Sequence, residues 1–201
     1  EKIMPAFPEW LATTLASDAT EGHHVLPNTI LPLQPGSHIV GPARVVLMSQ
    51  DDNLSVRAAI EAPPLPGSVL VAAGGNTSRT ATIGGLMALE MQLAGFIGLV
   101  TDGLVRDSRE IRELGFDVWC RGVCPTASRK NGPTMLGGSV SIGGIVIRDG
   151  DLVIADDDGV VIWPAEHVEA LLARAEAKFQ QDNQRLARRQ EQKRTSLENY
   201  P

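Results

Sequence analysis

Residues 98–107, Gly-Leu-Val-Thr-Asp-Gly-Leu-Val-Arg-Asp, place two carboxylates and an arginine (Asp102, Arg106 and Asp107) directly behind an apolar run. A guanidinium grips an α-keto acid or its enolate through a fork of hydrogen bonds. A neighbouring carboxylate can hold Mg2+ while leaving water or substrate in the remaining positions. Together these types read as metal-assisted chemistry on a small 2-oxo acid, set at the carboxyl end of a strand, where α/β sheets usually take their ligands. The plain alternative is an Asp102-Gly103 turn followed by surface charges, and spacing alone leaves both open.

A second candidate is the glycine-rich stretch Gly74-Gly75 and Gly84-Gly85-Leu86-Met87. It follows one expected strand and opens an expected helix, where free backbone N–H groups and the helix dipole favour a carboxylate or phosphate. It is neither G-x-G-x-x-G nor a P-loop, so nucleotide binding has no specific support, and glycines used for tight packing remain the alternative. The Asp156-Asp157-Asp158-Gly159 run suggests calcium, but an EF-hand loop needs a distal Glu at position 12 and that position is His167, so a hairpin turn is expected. Cys120 and Cys124 have no second ligand pair for zinc and are too few for a disulfide framework. They are expected as reduced thiols. His23 and His24 sit in a proline-rich segment and are expected in a surface loop.

The elements that position these residues follow from pattern. The chain has 201 residues, 43% hydrophobic, with 20 Gly and 13 Pro, which suits one domain of short strands joined by turns. Strands are expected at 43–48, 69–73, 96–100, 118–120, 145–147, 152–154 and 160–163. Helical spacing over 81–94, closed by Gly95, makes a βαβ unit with a parallel strand pair. The turns at 148–151 and 156–159 read as antiparallel hairpins, so the sheet is mixed. Residues 1–36 are expected as a wrapping segment with one short helix near 10–15. The body is 37–180, ending in a long helix after Pro164, and 181–201 is a charged helix end or tail. The formal charge of −6 argues against nucleic-acid binding, and no apolar run is long enough for a membrane span. No signal-peptide pattern is present, so a cytoplasmic location is expected.

Read together, residues 98–107, Gly84-Gly85-Leu86-Met87, 116–125, Gly143-Gly144 and 150–160 come in the order and spacing of the RraA-like family, which the chain resembles over roughly 15–175. That family includes the 4-hydroxy-4-methyl-2-oxoglutarate (4-carboxy-4-hydroxy-2-oxoadipate) aldolases and the ribonuclease E activity regulator A proteins. The resemblance implies a ββα-sandwich of the swivelling-domain type, a homotrimer or hexamer with its site at a subunit interface, and a divalent metal, Mg2+ or Mn2+. It implies a class II lyase that cleaves 4-hydroxy-2-oxo acids to pyruvate or decarboxylates oxaloacetate through a metal-stabilised enolate.

By the same resemblance, Arg106 contacts the keto or enolate oxygen, Asp107 ligates the metal, and the backbone N–H groups of Leu86 and Met87 hold the substrate carboxylate, with Gly84 and Gly85 beside them. Asp102 takes a structural role. One departure stands out: the aldolases carry an acid 22 positions before the metal-binding aspartate, used in proton transfer, and here that position is Gly85. Phe179 stands where a neighbouring subunit's acid is expected, unless Glu176 or Asp182 replaces it. Two alternatives follow: a non-catalytic regulator binding a partner such as ribonuclease E, or a related lyase or hydratase in which open space at Gly85 admits a larger group.

Overall fold

Strand β3 (Ser68–Ala73) is buried at all six residues, as a central parallel strand covered on both faces must be. It lies in a computed structural model that describes residues 7–198; residues 1–6 and 199–201 of the expected terminal segments lie outside the described residues. The elements run α1 (Thr13–Ala19), β1 (Leu31–Pro32), β2 (Ile39–Leu47), α2 (Leu54–Glu61), β3, α3 (Gly85–Leu93), β4 (Phe96–Thr101), β5 (Leu104–Val105) and α4 (Ser108–Leu114). Then come β6 (Asp117–Cys120), β7 (Gly122–Val123), β8 (Met135–Leu136), β9 (Ser139–Ile142), β10 (Ile145–Arg148), β11 (Leu152–Asp156), β12 (Gly159–Trp163), a 3-10 turn at Ala165–His167 and α5 (Val168–Glu198).

The main sheet has the order β1-β6-β4-β3-β2-β11-β12, with β8 also pairing β2. Strands β2, β3, β4 and β6 are parallel neighbours, and β11 and β12 are antiparallel, so the sheet is mixed. Register decides the two faces. Val45, Val71, Val100 and Trp119 align across four strands and pack with Val140, Ile142 and Ile147 of the β9–β10 hairpin. Val46, Leu70, Leu99 and Val118 point the other way, against Met87, Met91 and Ile111 of α3 and α4. A third cluster joins α1 and α5 to β11 and β12 through Leu11, Trp163, Leu171 and Ala175. The result is a ββα-sandwich with a long C-terminal helix.

Three local expectations change. The first helix begins at Thr13 because its N-terminus is capped from far away: the backbone N–H and Oγ1 of Thr13 donate to the Asp156 carboxylate at 2.8 and 2.6 Å. Asp156 also accepts from the Asp158 N–H, so the acidic run makes the β11–β12 hairpin turn. The 148–151 turn is not a hairpin: β10 pairs back with β9, while β11 pairs with β2 and β12, and Asp149 fixes the crossing by accepting from Val45 N–H and Arg44. Helices α2 and α4 lie where no helix was read, because each is short and buries only a narrow apolar edge. Past Asp182 the side chains of α5 are exposed from Asn183 through Ser196, with Leu186 isolated among charges. No helix among the described residues is long and apolar enough to cross a membrane.

Candidate active site

Pairing outside the main strands brings the two sequence motifs together. The Thr82 N–H donates to Leu104 carbonyl at 2.7 Å and the Arg106 N–H to Ile83 carbonyl at 3.0 Å, so 81–83 runs beside 104–106. The residues that follow, Gly84-Gly85 and Arg106-Asp107, are thereby delivered to one spot. On the other side Ala81 N–H donates to Thr126 carbonyl, which carries Ser128 and Lys130 to the same rim.

Asp107 holds a left-handed backbone (φ 54°, ψ 40°), uncommon for a residue with a Cβ and a signature of local strain near functional sites. Its Oδ2 accepts the Gly85 N–H at 3.0 Å and lies 3.6 Å from Arg106 Nε. Oδ1 accepts nothing from the described residues. A Cβ at Gly84 would collide with Asp107 Oδ2 and press on Arg106 Nε, so a larger residue there must push the Asp107 carboxylate aside. Gly84→Ala is therefore expected to displace the carboxylate and lower turnover by about 100-fold with little change in melting temperature, read by paired kinetics and thermal denaturation. The space at Gly85 is less open than the sequence reading supposed. Glu110 Cβ lies 3.0 Å from where a Cβ at position 85 would sit.

Helix α3 starts at Gly85, with the Ala88 N–H to Gly84 carbonyl as its first internal bond at 3.0 Å. Gly85 N–H is taken by Asp107, which leaves the first-turn N–H groups of Leu86 and Met87 at the positive end of the helix. They border a cleft of about 130 Å³ lined also by Asn53, Gly84, Arg106, Asp107 and Lys130. Arg57 joins it, already paired with Glu90 at 2.8 Å. With Arg57 matched by Glu90, Arg106 and Lys130 outweigh the Asp107 carboxylate, which suits an anionic ligand.

The floor and rim are held by Asp52, a buried residue whose carboxylate accepts from Leu54, Asn131 and Gly132 N–H at 2.8–2.9 Å. Burial alone would raise its pKa, but these donors and Arg129 pull it below the ordinary carboxylate value. A depressed pKa stabilises the fold above the unfolded value and is lost as pH falls through the folded one. Stability should therefore drop as pH falls below about 4, and Asp52→Asn should show a smaller acid-induced fall in urea midpoint, from a lower start.

The other candidates lie elsewhere. Asp102 is buried and braces the Gly74-Gly75 turn through N–H bonds at 3.2 and 2.7 Å, and burial pushes its carboxyl above the usual range. His23, His24 and His167 line a separate cavity with Arg174, and His38 bonds Leu11 carbonyl. Cys120 and Cys124 are free thiols; burial pushes the Cys120 thiol up. Phe179 stacks on Trp10 of its own chain at 4.9 Å, and Asp182 pairs with Lys178. Asn53 and Lys130 escaped the sequence reading. Asn53 looks like an ordinary cap for α2, yet its side chain makes no capping bond.

No group of three or more His, Cys, Asp or Glu among the described residues is arranged to hold a metal ion. The donor set is the lone Asp107 carboxylate with one oxygen free. That suits a hydrated Mg2+-type ion, which keeps most of its ligands as water and substrate, and does not suit a fully protein-caged zinc.

A parallel βαβ core with a helix start open to anions and an Arg–Asp pair beside it defines the class, a mixed α/β domain. The chain matches the RraA-like family (Aldolase/RraA) over residues 13–162 and belongs to it. A relative from Halalkalibacterium halodurans, named "Putative 4-hydroxy-4-methyl-2-oxoglutarate aldolase", is 38% identical over 87% of this chain and 83% of its own. Among solved structures, Streptomyces coelicolor RraAS2, described as an unusual member of the RNase ES inhibitor RraA family, superposes with a TM-score of 0.79 at 29% identity, covering 89% of this chain and 93% of that one. The RNA-processing inhibitor RraA from Thermus thermophilis gives 0.70 at 29% identity, over 78% and 94%.

Proposed function

We propose that the protein is a divalent-metal-dependent carbon–carbon lyase acting on a small 2-oxo acid, by retro-aldol cleavage of a 4-hydroxy-2-oxo acid to pyruvate, by oxaloacetate decarboxylation, or both. The observation that carries this reading is the convergence of Arg106 and Asp107 on the start of α3. The Leu86 and Met87 N–H groups bind the substrate carboxylate, and Arg106 donates to the 2-keto oxygen as it gains enolate charge. Asp107 would hold Mg2+ or Mn2+, which supplies Lewis acidity when bound. Lys130, which forms no ion pair among the described residues, takes a distal carboxylate. Relatives with aldolase names support the lyase class. The working assembly is a homo-oligomer, a trimer or hexamer, that completes the site at a subunit interface. The test is pyruvate release from oxaloacetate and from 4-carboxy-4-hydroxy-2-oxoadipate with Mg2+ or Mn2+ and again with EDTA, less the metal-only reaction. No release from folded, metal-loaded protein would sink it.

A second reading, a regulator that binds a protein partner such as a ribonuclease, draws on the RraA structural neighbours and on the exposed, cation-rich end of α5. Stoichiometric capture of such a partner without lyase turnover would favour it.

A further inference from the structure

A second cavity, of about 310 Å³, opens between the loop after α1 and the start of α5, and it shares no lining residue with the cleft. That volume is at the small end of sites that hold organic molecules, which begin near about 300 Å³. Two kinds of group line it. His23 and His24 from the loop, with His167 and Arg174 from the opposite wall, carry N–H donors, while Pro164 and Leu171 supply apolar surface. No carboxylate among the described residues lines it. The loop is fixed on both sides: Thr20 Oγ1 donates to the His23 carbonyl at 2.7 Å, and the His24 carbonyl accepts from the Ile162 N–H of β12 at 2.9 Å. Glu21 and His24 hold left-handed backbone (φ 54° and 63°), two of the four non-glycine residues with positive φ among the described residues, and Asp107 is another. Such conformations persist where the surrounding structure over-determines them, and they gather at sites that clamp ligands.

Arg174 forms no ion pair among the described residues, and its one hydrogen bond, from Nη1 to the Ala19 carbonyl, is long at 3.5 Å. Its guanidinium, always charged, therefore keeps donors for a ligand. Asp18 and Glu21 line an adjoining cavity that Arg174 also borders, with Lys178 3.9 Å from Asp18. Leu171 is buried in the third core cluster, so the apolar wall is continuous with the core. A cation, hydrogen-bond donors and an apolar wall with no acid fit an anionic head joined to an apolar body. We propose that this cavity binds a small organic acid, its carboxylate held by Arg174 with the histidine N–H groups beside it and its carbon chain against Pro164 and Leu171. A bare inorganic anion would leave the apolar wall uncovered, and an ammonium would meet Arg174.

The test is calorimetric titration of the full chain with hexanoate and with three analogues: hexan-1-ol lacks the charge, acetate lacks the carbon chain, and hexylamine carries the opposite charge. Hexanoate should bind with a dissociation constant of about 1 mM or tighter, and about tenfold more tightly than any of the three. Arg174→Gln, a change at an exposed residue, should fold as before and weaken hexanoate by about tenfold. His167→Ala, also at an exposed residue, should weaken it by about threefold. The cleft beside α3 is cationic too, so Lys130→Gln serves as the control and should leave hexanoate affinity within about twofold. Absence of hexanoate binding, equal binding of any analogue, or affinity that falls in Lys130→Gln and not in Arg174→Gln would overturn the proposal. None of these outcomes bears on the lyase reading, because the cavity and the cleft share no residue.

Discussion

Asp107→Ala protein should fold and elute like the unsubstituted chain and melt within a few degrees of it, yet lose metal-dependent pyruvate release by about 1000-fold. The expectation follows from position: the Asp107 side chain is half-exposed, bonded among the described residues only to Gly85 N–H and beside Arg106, so the fold loses little when it goes. Relief of its left-handed backbone is not offered by alanine, so a melting point lowered by a few degrees is the limit of the structural effect. The activity loss should be accompanied by loss of Mn2+ binding, measured directly by titration. Turnover retained at the original level would remove Asp107 from the site. Arg106→Lys gives the companion result, because an ammonium cannot reproduce the guanidinium fork.

The largest effect on stability is expected at Trp163→Ala. Trp163 is fully buried, and its Nε1 donates to the Ala16 carbonyl at 3.1 Å, so one side chain ties the sheet edge to α1 beneath α5. Truncation leaves a large cavity and takes one donor from the Ala16 carbonyl, which keeps only the longer bond from Thr20 Oγ1, at a cost of about 3–5 kcal/mol. For a chain of this size that is a fall of roughly 6–20 °C in melting temperature. Because the third core cluster is separate from the cleft, turnover at low temperature should remain close to normal. A melting point unchanged within a degree would show that α1 and α5 are not integral to the core.

What could be read without coordinates was whatever local pattern controls. The apolar runs at 69–73 and 96–100 and the periodic stretch before Gly95 announced β3, α3 and β4, because a buried strand and an amphipathic helix need those patterns wherever they lie. The motif around Arg106-Asp107 and that around Gly84-Met87 were each visible as a candidate. Their meeting was not, since it depends on the pairing of 81–83 with 104–106, a contact between segments more than twenty residues apart. The helices at 54–61 and 108–114 were missed because seven or eight residues carry too little periodicity.

The remaining differences have the same origin. Asp156 is indistinguishable from its neighbours in the acidic run, yet tertiary contact makes it the cap of a helix 143 residues away. Asn53 belongs to none of the sequence motifs, and only packing turns its amide toward Thr82 and leaves Oδ1 without a partner among the described residues. The sequence by itself determined the residue types the site employs and the strands and helix that carry them, because those are set by side-chain chemistry and short-range periodicity. Only the tertiary structure decided which of those groups face one another, because register and hydrogen-bond pairing between distant segments are settled by the burial of the whole sheet.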